Sequence, residues 1–282
     1  MGHSVKSEVR SRKSEVGKWA LAALMATVLG VGIWWLGFSQ TKEDTAWQRI
    51  QSRGVFTVAT DASYPPFSAV DANGNLFGFE VDLAEAIARR WGVRAEFENI
   101  AYDALLGTLI SGRDDAVLSA FVPQPGRTKE VSFTRSYFVG GTVAVVRAAD
   151  GEALGDDALK WAMGKTLAVE YGAGGDALAR QWTRQVEGIR LLPKSTASEA
   201  LLAVESGSAE AALVDAISAY DFLLGHPSLK LARPPLEPEP YTIAVSARSH
   251  VLFQALERVL EAMEADGTLP AMRVRWFGEA AR

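Results

Sequence analysis

The sequence predicts an α/β protein in which one transmembrane helix precedes two α/β units, each a mostly parallel sheet flanked by helices. Three observations predict this architecture. Residues 19–38 contain no charged side chain. From Gly54 onward, short β-rich runs alternate with amphipathic helical segments, and the same alternation starts again at Thr142. Alternating strands and helices are typical of parallel sheets that are covered on both faces.

The N-terminal segment indicates where the rest of the chain lies. A bilayer core of about 30 Å requires about 20 helical residues, and the run Trp19–Phe38 is long enough to meet this. Residues 1–18 carry five basic and two acidic side chains, so we expect them to stay in the cytoplasm. The run ends in Trp-Trp-Leu-Gly-Phe rather than in the small residues of a signal-peptide cleavage site. We therefore favour an anchor in the inner membrane over a cleaved signal or a buried helix.

The composition excludes several classes of function. With 282 residues and no cysteine, the chain can form no disulfide, thiolate metal site or cysteine nucleophile. The formal net charge is −5, and the basic N-terminus makes the exported part more acidic still. An acidic domain does not favour binding to nucleic-acid phosphates. The three histidines are scattered along the chain, so we expect no metal site. We also expect no cofactor and a monomeric soluble domain.

A linker is expected over residues 39–50, before a binding domain over residues 51–282. In its first part the pattern predicts three strands and two helices: Val55–Ala59, Glu80–Trp91, Ala95–Glu98, Tyr102–Ser111 and Ala116–Ser119. Gly92 and Gly112 stand where the helices should stop.

The second part repeats this order of elements. Strands are predicted at Thr142–Val146, Thr166–Glu170, Ile189–Leu192, Ala211–Val214 and Tyr241–Val245. Helices are predicted at Asp176–Arg184, Ser198–Ser206, Val251–Ala265 and Leu269–Trp276. The proline-rich residues 234–240 suit a crossover between the units. We expect one lobe over about 51–142 plus 236–282, and a second over about 143–235.

Ligands of open α/β sheets bind beyond the carboxyl ends of the strands. After the first strand, two prolines stiffen a loop that holds Asp61, Tyr64 and Phe67, although Phe67 is equally compatible with the core. After the third strand, Arg127 follows at a helix start, where a guanidinium can bind a carboxylate through two hydrogen bonds unless it is simply solvated.

Two further strand ends belong to the second unit. Glu170–Asp176 is a glycine-rich turn into a helix, and the backbone N–H groups of such a turn favour an anion. Asp215 follows the strand that ends at Val214. Its carboxylate can hold an ammonium group or cap the next helix, and position alone favours the cap.

From Gly54 to Gly278 the chain resembles the polar amino acid-binding members of family 3 of the periplasmic solute-binding proteins. Each matching segment is weakly specific, but together they are highly specific: Thr60–Phe67, Asp71–Gly74, Gly78–Ala84, Ser119–Arg127, Gly207–Asp215, Glu239–Tyr241 and Arg275–Gly278.

The resemblance implies the two-lobed periplasmic binding protein type II fold and the binding of an amino acid or similar zwitterion for an ABC transporter permease. It implies that Arg127 binds the ligand carboxylate and that Asp215 binds the ammonium group. The ligand-binding set that it implies is Asp61, Tyr64, Phe67, Ser119, Ala120, Phe121, Val122, Arg127, Ala173, Gly174 and Asp215.

The sequence departs from the family pattern at the carboxylate. The family usually has Gly or Ser where Ala120 stands, Ser or Thr where Val122 stands, and Thr or Ser near Ala173 and Gly174. Without these hydroxyls the carboxylate depends more on Arg127 and on backbone N–H groups, or the ligand is not a standard amino acid.

Two other functions stay open. Some proteins of this fold resemble cyclohexadienyl dehydratases, in which a carboxylate of the second lobe is the general acid; Asp176 or Glu170 could take that role. The chain could also be the ligand-sensing subunit of a partner receptor.

Overall fold

The computed structural model describes residues 45–124, 126, 129–150, 154 and 157–281. The predicted membrane segment Trp19–Phe38 and the predicted carboxylate ligand Arg127 lie outside these ranges. Across the described ranges, no helix is both long and apolar enough to cross a membrane. Ala46–Arg282 group into one unit by their contacts. The division into two lobes therefore stays a prediction.

Most predicted helices and strands lie close to their predicted positions. The helices Ala46–Arg53 and Ala158–Ala162 and three short strands between residues 63 and 77 were not predicted, and Ala46–Arg53 begins within the expected linker over residues 39–50. The α-helices are α1 Ala46–Arg53, α2 Phe79–Arg90, α3 Leu105–Ser111, α4 Ala158–Ala162, α5 Gly174–Thr183, α6 Ala197–Glu205, α7 Ala216–Leu223, α8 His250–Ala265 and α9 Thr268–Phe277. The strands are β1 Val55–Thr60, β2 Ser63–Tyr64, β3 Ser68–Val70, β4 Leu76–Phe77, β5 Arg94–Asn99, β6 Ala116–Phe121, β7 Val131–Arg147, β8 Thr166–Glu170, β9 Arg190–Lys194, β10 Ala211–Asp215 and β11 Leu229–Ser246. Short 3₁₀ turns cover Tyr102–Ala104, Ala148–Asp150 and Glu279–Ala281.

One mixed sheet organises the molecule, with strand order β5-β1-β6-β11-β7-β10-β8-β9. The outer pairs are parallel, namely β1 with β5 and β6, and β8 with β9 and β10. The inner pairs β6–β11, β11–β7 and β7–β10 are antiparallel. Each half of the sheet thus has the expected parallel pairs. What the sequence did not indicate is that the two halves form one mixed sheet, joined through the two long antiparallel strands β7 and β11.

The strands β7 and β11 are much longer than the sequence predicts. β7 starts at Val131 rather than at Thr142, and β11 includes the proline-rich residues 234–240 that the sequence suggests as a crossover. Proline lacks the N–H group that a central strand donates. Residues 237–240 tolerate it because β7 is their only paired neighbour, while β6 pairs with β11 at Thr242 and Ala244.

Aromatic rings fill the core beneath this strand pair. Phe67, Phe79, Phe138, Tyr241 and Phe277 contact one another with ring centroids 4.5–6.0 Å apart. Such pairs add about 0.5–1.5 kcal/mol each to the burial of their area. This cluster joins the loop after β1 to the middle of the sheet.

Candidate functional site

At the centre of the sheet the paired strands β7 and β11 present one regular face. Between residues 237 and 241 the pairing of β11 with β7 is regular, so Glu237, Glu239 and Tyr241 project to the same side. Tyr241 lies over Gly140 of β7, where a Cβ would stand 2.6 Å from its hydroxyl oxygen. Glycine at position 140 therefore makes room for the tyrosine.

Asp215 ends β10 on this face, directly opposite Thr142 of β7. Its Oδ1 accepts hydrogen bonds from the backbone N–H groups of Ile217 at 2.8 Å and Ser218 at 3.1 Å. The capping interpretation of Asp215 is thus confirmed. Its Oδ2 accepts no hydrogen bond from any described residue, which leaves it available to an ammonium group.

The glycine-rich turn brings the N-terminus of α5 to the same place. A Cβ on Gly175 would lie 2.1 Å from the carbonyl oxygen of Leu213, so only glycine lets the helix start this close to β10. Ala173 is the N-terminal cap residue and offers no side-chain hydrogen bond. A Cβ on Gly174 would lie 3.3 Å from the Thr142 hydroxyl oxygen. Ala173, Gly174 and Asp215 therefore meet around Thr142.

The loop after β1 supplies the opposite wall. The Asp61 carboxylate accepts from the N–H groups of Ser63 at 3.1 Å and Tyr102 at 3.0 Å, so it fixes its own loop. Tyr64 is exposed at the rim and stacks on Phe67 at 5.4 Å. The prediction that Phe67 lines the pocket is corrected, because its ring is fully buried and supports Tyr64 from behind.

The end of β6 and the residue that follows it are fixed by contacts with neighbouring elements. The Ser119 hydroxyl accepts from the Asp61 N–H at 3.1 Å. Ala120 has φ +46°, in the left-handed region that usually requires glycine. Val122 is half-buried beside it. The Phe121 prediction is also corrected: its ring is buried and stacks on Tyr102 at 5.4 Å, so Tyr102 is the exposed aromatic there.

Glu80 supports this segment and was missed as a site residue, although it lies in a matching motif. It is 1 % exposed, and its carboxylate accepts from the Ala120 N–H at 2.6 Å, the Ser68 hydroxyl at 3.2 Å and the Tyr137 hydroxyl. Burial raises the pKa of Glu80 against the lowering effect of these hydrogen bonds. One buried carboxyl group thus joins Ser68 of β3, Ala120 near the end of β6 and Tyr137 of β7.

Tyr102 and Tyr241 were also missed. Tyr102 begins the segment that follows β5, so the rule that ligands bind beyond strand ends could have identified it. Tyr241 lies within β11, and its position depends on the pairing of that long strand with β7. Burial raises the pKa of Tyr64, Tyr102 and Tyr241, and the negative charge of Glu239 raises all three further. Asp215 does the same for Tyr64 and Tyr241. The phenols therefore stay neutral in an acidic setting that favours a cation.

Asp176 does not have the properties of a general acid. Burial acts to raise the pKa of Asp176. The hydrogen bond and positive charge of Arg180, together with a hydrogen bond from the Gly172 N–H to Oδ2 at 3.0 Å, outweigh burial and lower this pKa. Its Oδ1 lies 2.9 Å from Arg180 Nε. A carboxyl group of lowered pKa is ionised at neutral pH and cannot donate a proton readily.

The chain is similar to known proteins of one family. The sequence profile of the bacterial extracellular solute-binding proteins, family 3, matches residues 56–279. The L-cystine-binding protein of Escherichia coli K12 is 28% identical over 94% of this chain and 97% of its own. An ABC transporter arginine-binding protein of the same organism is 28% identical over 77% of this chain and 88% of its own.

Among solved structures, a reconstructed ancestral cationic amino acid solute-binding protein is similar. It is 28% identical, with a TM-score of 0.61, and the match covers 82% of this chain and 98% of that one. These relatives are binding proteins rather than enzymes.

Proposed function

Because the chain belongs to family 3 of the bacterial extracellular solute-binding proteins, we propose that it binds a zwitterionic amino acid between the loops after β1 and β6 and the residues around Asp215. One observation carries this proposal: Asp215 combines a capping oxygen with a second oxygen that no described residue uses. A carboxylate fixed in this way binds an ammonium group without having to be ordered first.

The ligand carboxylate needs a positive partner, which the sequence supplies as Arg127. The charge-assisted hydrogen bonds that Arg127 and Asp215 would each make with the ligand would be worth roughly 1.5–3 kcal/mol. The acidic tyrosine wall supports a polar or cationic side chain. The two parts of the sheet would act as the predicted lobes and close on the ligand, and a permease would recognise the closed form.

The family places the protein outside the cytoplasm, and the relatives support delivery of the ligand to an ABC transporter. Anchoring through residues 19–38 is part of the proposal. It follows from the uncharged run and its basic flank.

Thermal unfolding of the full chain in a mild detergent, followed by tryptophan fluorescence, tests the proposal. The twenty protein amino acids and L-cystine are added one at a time, because a ligand that binds only the folded state raises the melting temperature. At a hundred times its Kd a ligand adds about 2.7 kcal/mol. No shift with any of these compounds, together with turnover of prephenate or arogenate, would favour the dehydratase alternative instead.

A further inference from the structure

We propose that Thr142 contacts the ligand, and that its hydroxyl and the first N–H groups of α5 together bind the ligand carboxylate. This inference rests on the proposed function and assigns a residue that the family resemblance did not supply. Three independent features of the described residues carry it.

The first feature is a hydroxyl without a protein partner on a mostly buried side chain. Thr142 is 7 % exposed, and its hydroxyl forms no hydrogen bond with any residue that the structure describes. Its oxygen is not fully buried, so a ligand can reach it. Two other buried threonines of the same strand pair use their hydroxyls inside the protein: Thr134 donates to the Arg135 carbonyl at 2.9 Å, and Thr242 donates to the Phe121 carbonyl at 3.0 Å. Thr142 differs from both, and it lies at the site.

The second feature is the direction of the hydroxyl. It lies 3.3 Å from the position that a Cβ on Gly174 would occupy, at the first residue of the ten-residue helix α5. The first N–H groups of a helix have no intrahelical partner and favour an anion. Asp176 in the first turn would oppose an anion, but Arg180 lies 2.9 Å from its carboxylate and offsets that charge.

The third feature is the neighbour of Thr142. Asp215 is its direct cross-strand partner, so the two side chains lie on one face with Cβ atoms about 4.5–5.5 Å apart. In an amino acid the carboxylate and the ammonium group share one carbon atom. A hydroxyl beside a carboxylate therefore matches the two charged groups of such a ligand.

The arrangement also accounts for a departure from the family pattern. The family resemblance implies Ser or Thr near positions 173 and 174, where this chain has Ala and Gly. A larger side chain at Gly174 would crowd the Thr142 hydroxyl. The hydroxyl thus reaches the same space from β7 instead of from α5.

Calorimetric titration of the full chain in detergent tests the inference. The probes are the tightest binder among the twenty protein amino acids and L-cystine, and the amine that remains when its carboxylate is removed. Thr142→Val should weaken binding of the amino acid about 10- to 100-fold and that of the amine less than threefold. Thr142→Ser, which keeps the hydroxyl, should stay within about threefold of wild type.

A second variant separates a lost contact from a disturbed fold. In Thr142→Ala/Gly174→Ser the hydroxyl returns on the helix side and the smaller alanine leaves room for it, so affinity should recover at least partly relative to Thr142→Ala. Thr134→Val is the matched control, because it removes a hydroxyl that the Ile243 N–H needs, at 3.0 Å. It should lower the melting temperature and leave affinity unchanged. Wild-type affinity in Thr142→Val would overturn this inference alone, whereas a wild-type chain that binds no probe would overturn the proposed function as well.

Discussion

The two walls of the candidate site use their polar groups in opposite ways. On the β1–β6 side, the side-chain oxygens of Asp61, Ser119 and Glu80 accept hydrogen bonds from groups within the protein. On the β7–β10 side, Asp215 Oδ2 and the Thr142 hydroxyl have no partner among the described residues. A satisfied group fixes the geometry of a site, and an unsatisfied one is available to a ligand. We therefore assign the first wall a supporting role and propose the second as the surface that recognises the ligand.

Substitution of Asp215 should have the largest effect on ligand affinity, and it tests directly whether the two walls differ in role. Asp215→Asn keeps a good helix cap but loses the charge, so affinity for the amino acid should fall by about 2–5 kcal/mol, roughly 30-fold or more. Asp215→Ala should lose about 1 kcal/mol of unfolding free energy in addition. Calorimetry and thermal unfolding measure the two effects separately. Unchanged affinity in Asp215→Asn would remove the recognition role.

Arg127 is the residue that the sequence predicts to bind the ligand carboxylate. Arg127→Ala should weaken binding by roughly 30-fold or more without lowering the melting temperature. Arg127→Lys keeps the charge but loses the two-pronged hydrogen bond, so it should be intermediate. If both variants bind as wild type does, the carboxylate is held by other groups.

Glu80 sharpens the description of the supporting wall. Glu80→Ala should cost about 2–4 kcal/mol of unfolding free energy, because it leaves the Ala120 N–H and two hydroxyls without an acceptor. Glu80→Gln should cost less, since an amide oxygen can still accept. Glu85→Gln, on the exposed side of the same helix, is the control and should change stability by less than about 0.5 kcal/mol.

The same carboxyl group predicts a dependence of stability on pH. The pKa of Glu80 is raised in the folded protein, so the folded state holds this proton more tightly than the unfolded state does. Its contribution is present below the unfolded pKa of about 4.3 and is lost as the pH rises through the folded pKa. Glu80→Gln should flatten this part of the curve of unfolding free energy against pH. A curve of unchanged slope would contradict the assignment.

Ala120 gives the smallest expected effect. Its left-handed backbone costs about 1–2 kcal/mol for a residue with a Cβ, and part of this is offset by the lower entropy of unfolded alanine. Ala120→Gly should therefore stabilise the domain by about 0.5–1 kcal/mol, measured by denaturant unfolding. Ala116→Gly on the same strand should destabilise it instead. A loss of stability in both would show that Ala120 is not strained.

Local pattern predicted most elements of the fold because helices and short strands are set by residues near one another in the chain. β8 matches its prediction from Thr166 to Glu170 without change, and α2, α6 and β10 differ from theirs by one or two residues. The strand-end argument also named Asp215 and the glycine-rich turn, which the structure brings together around Thr142. It failed for Phe67 and Phe121, because a ring beside a site can equally pack beneath it.

The family, the order of strands and helices, and the charges offered to a ligand could all be read from the residues. The full length of β7 and β11 could not, since a proline-rich strand forms only where a neighbouring strand can pair with it. The tertiary structure also decided which polar groups are already satisfied. Thr142 carried no sequence signal of function, because a hydroxyl on a strand becomes a binding group only when its neighbours leave it without a partner.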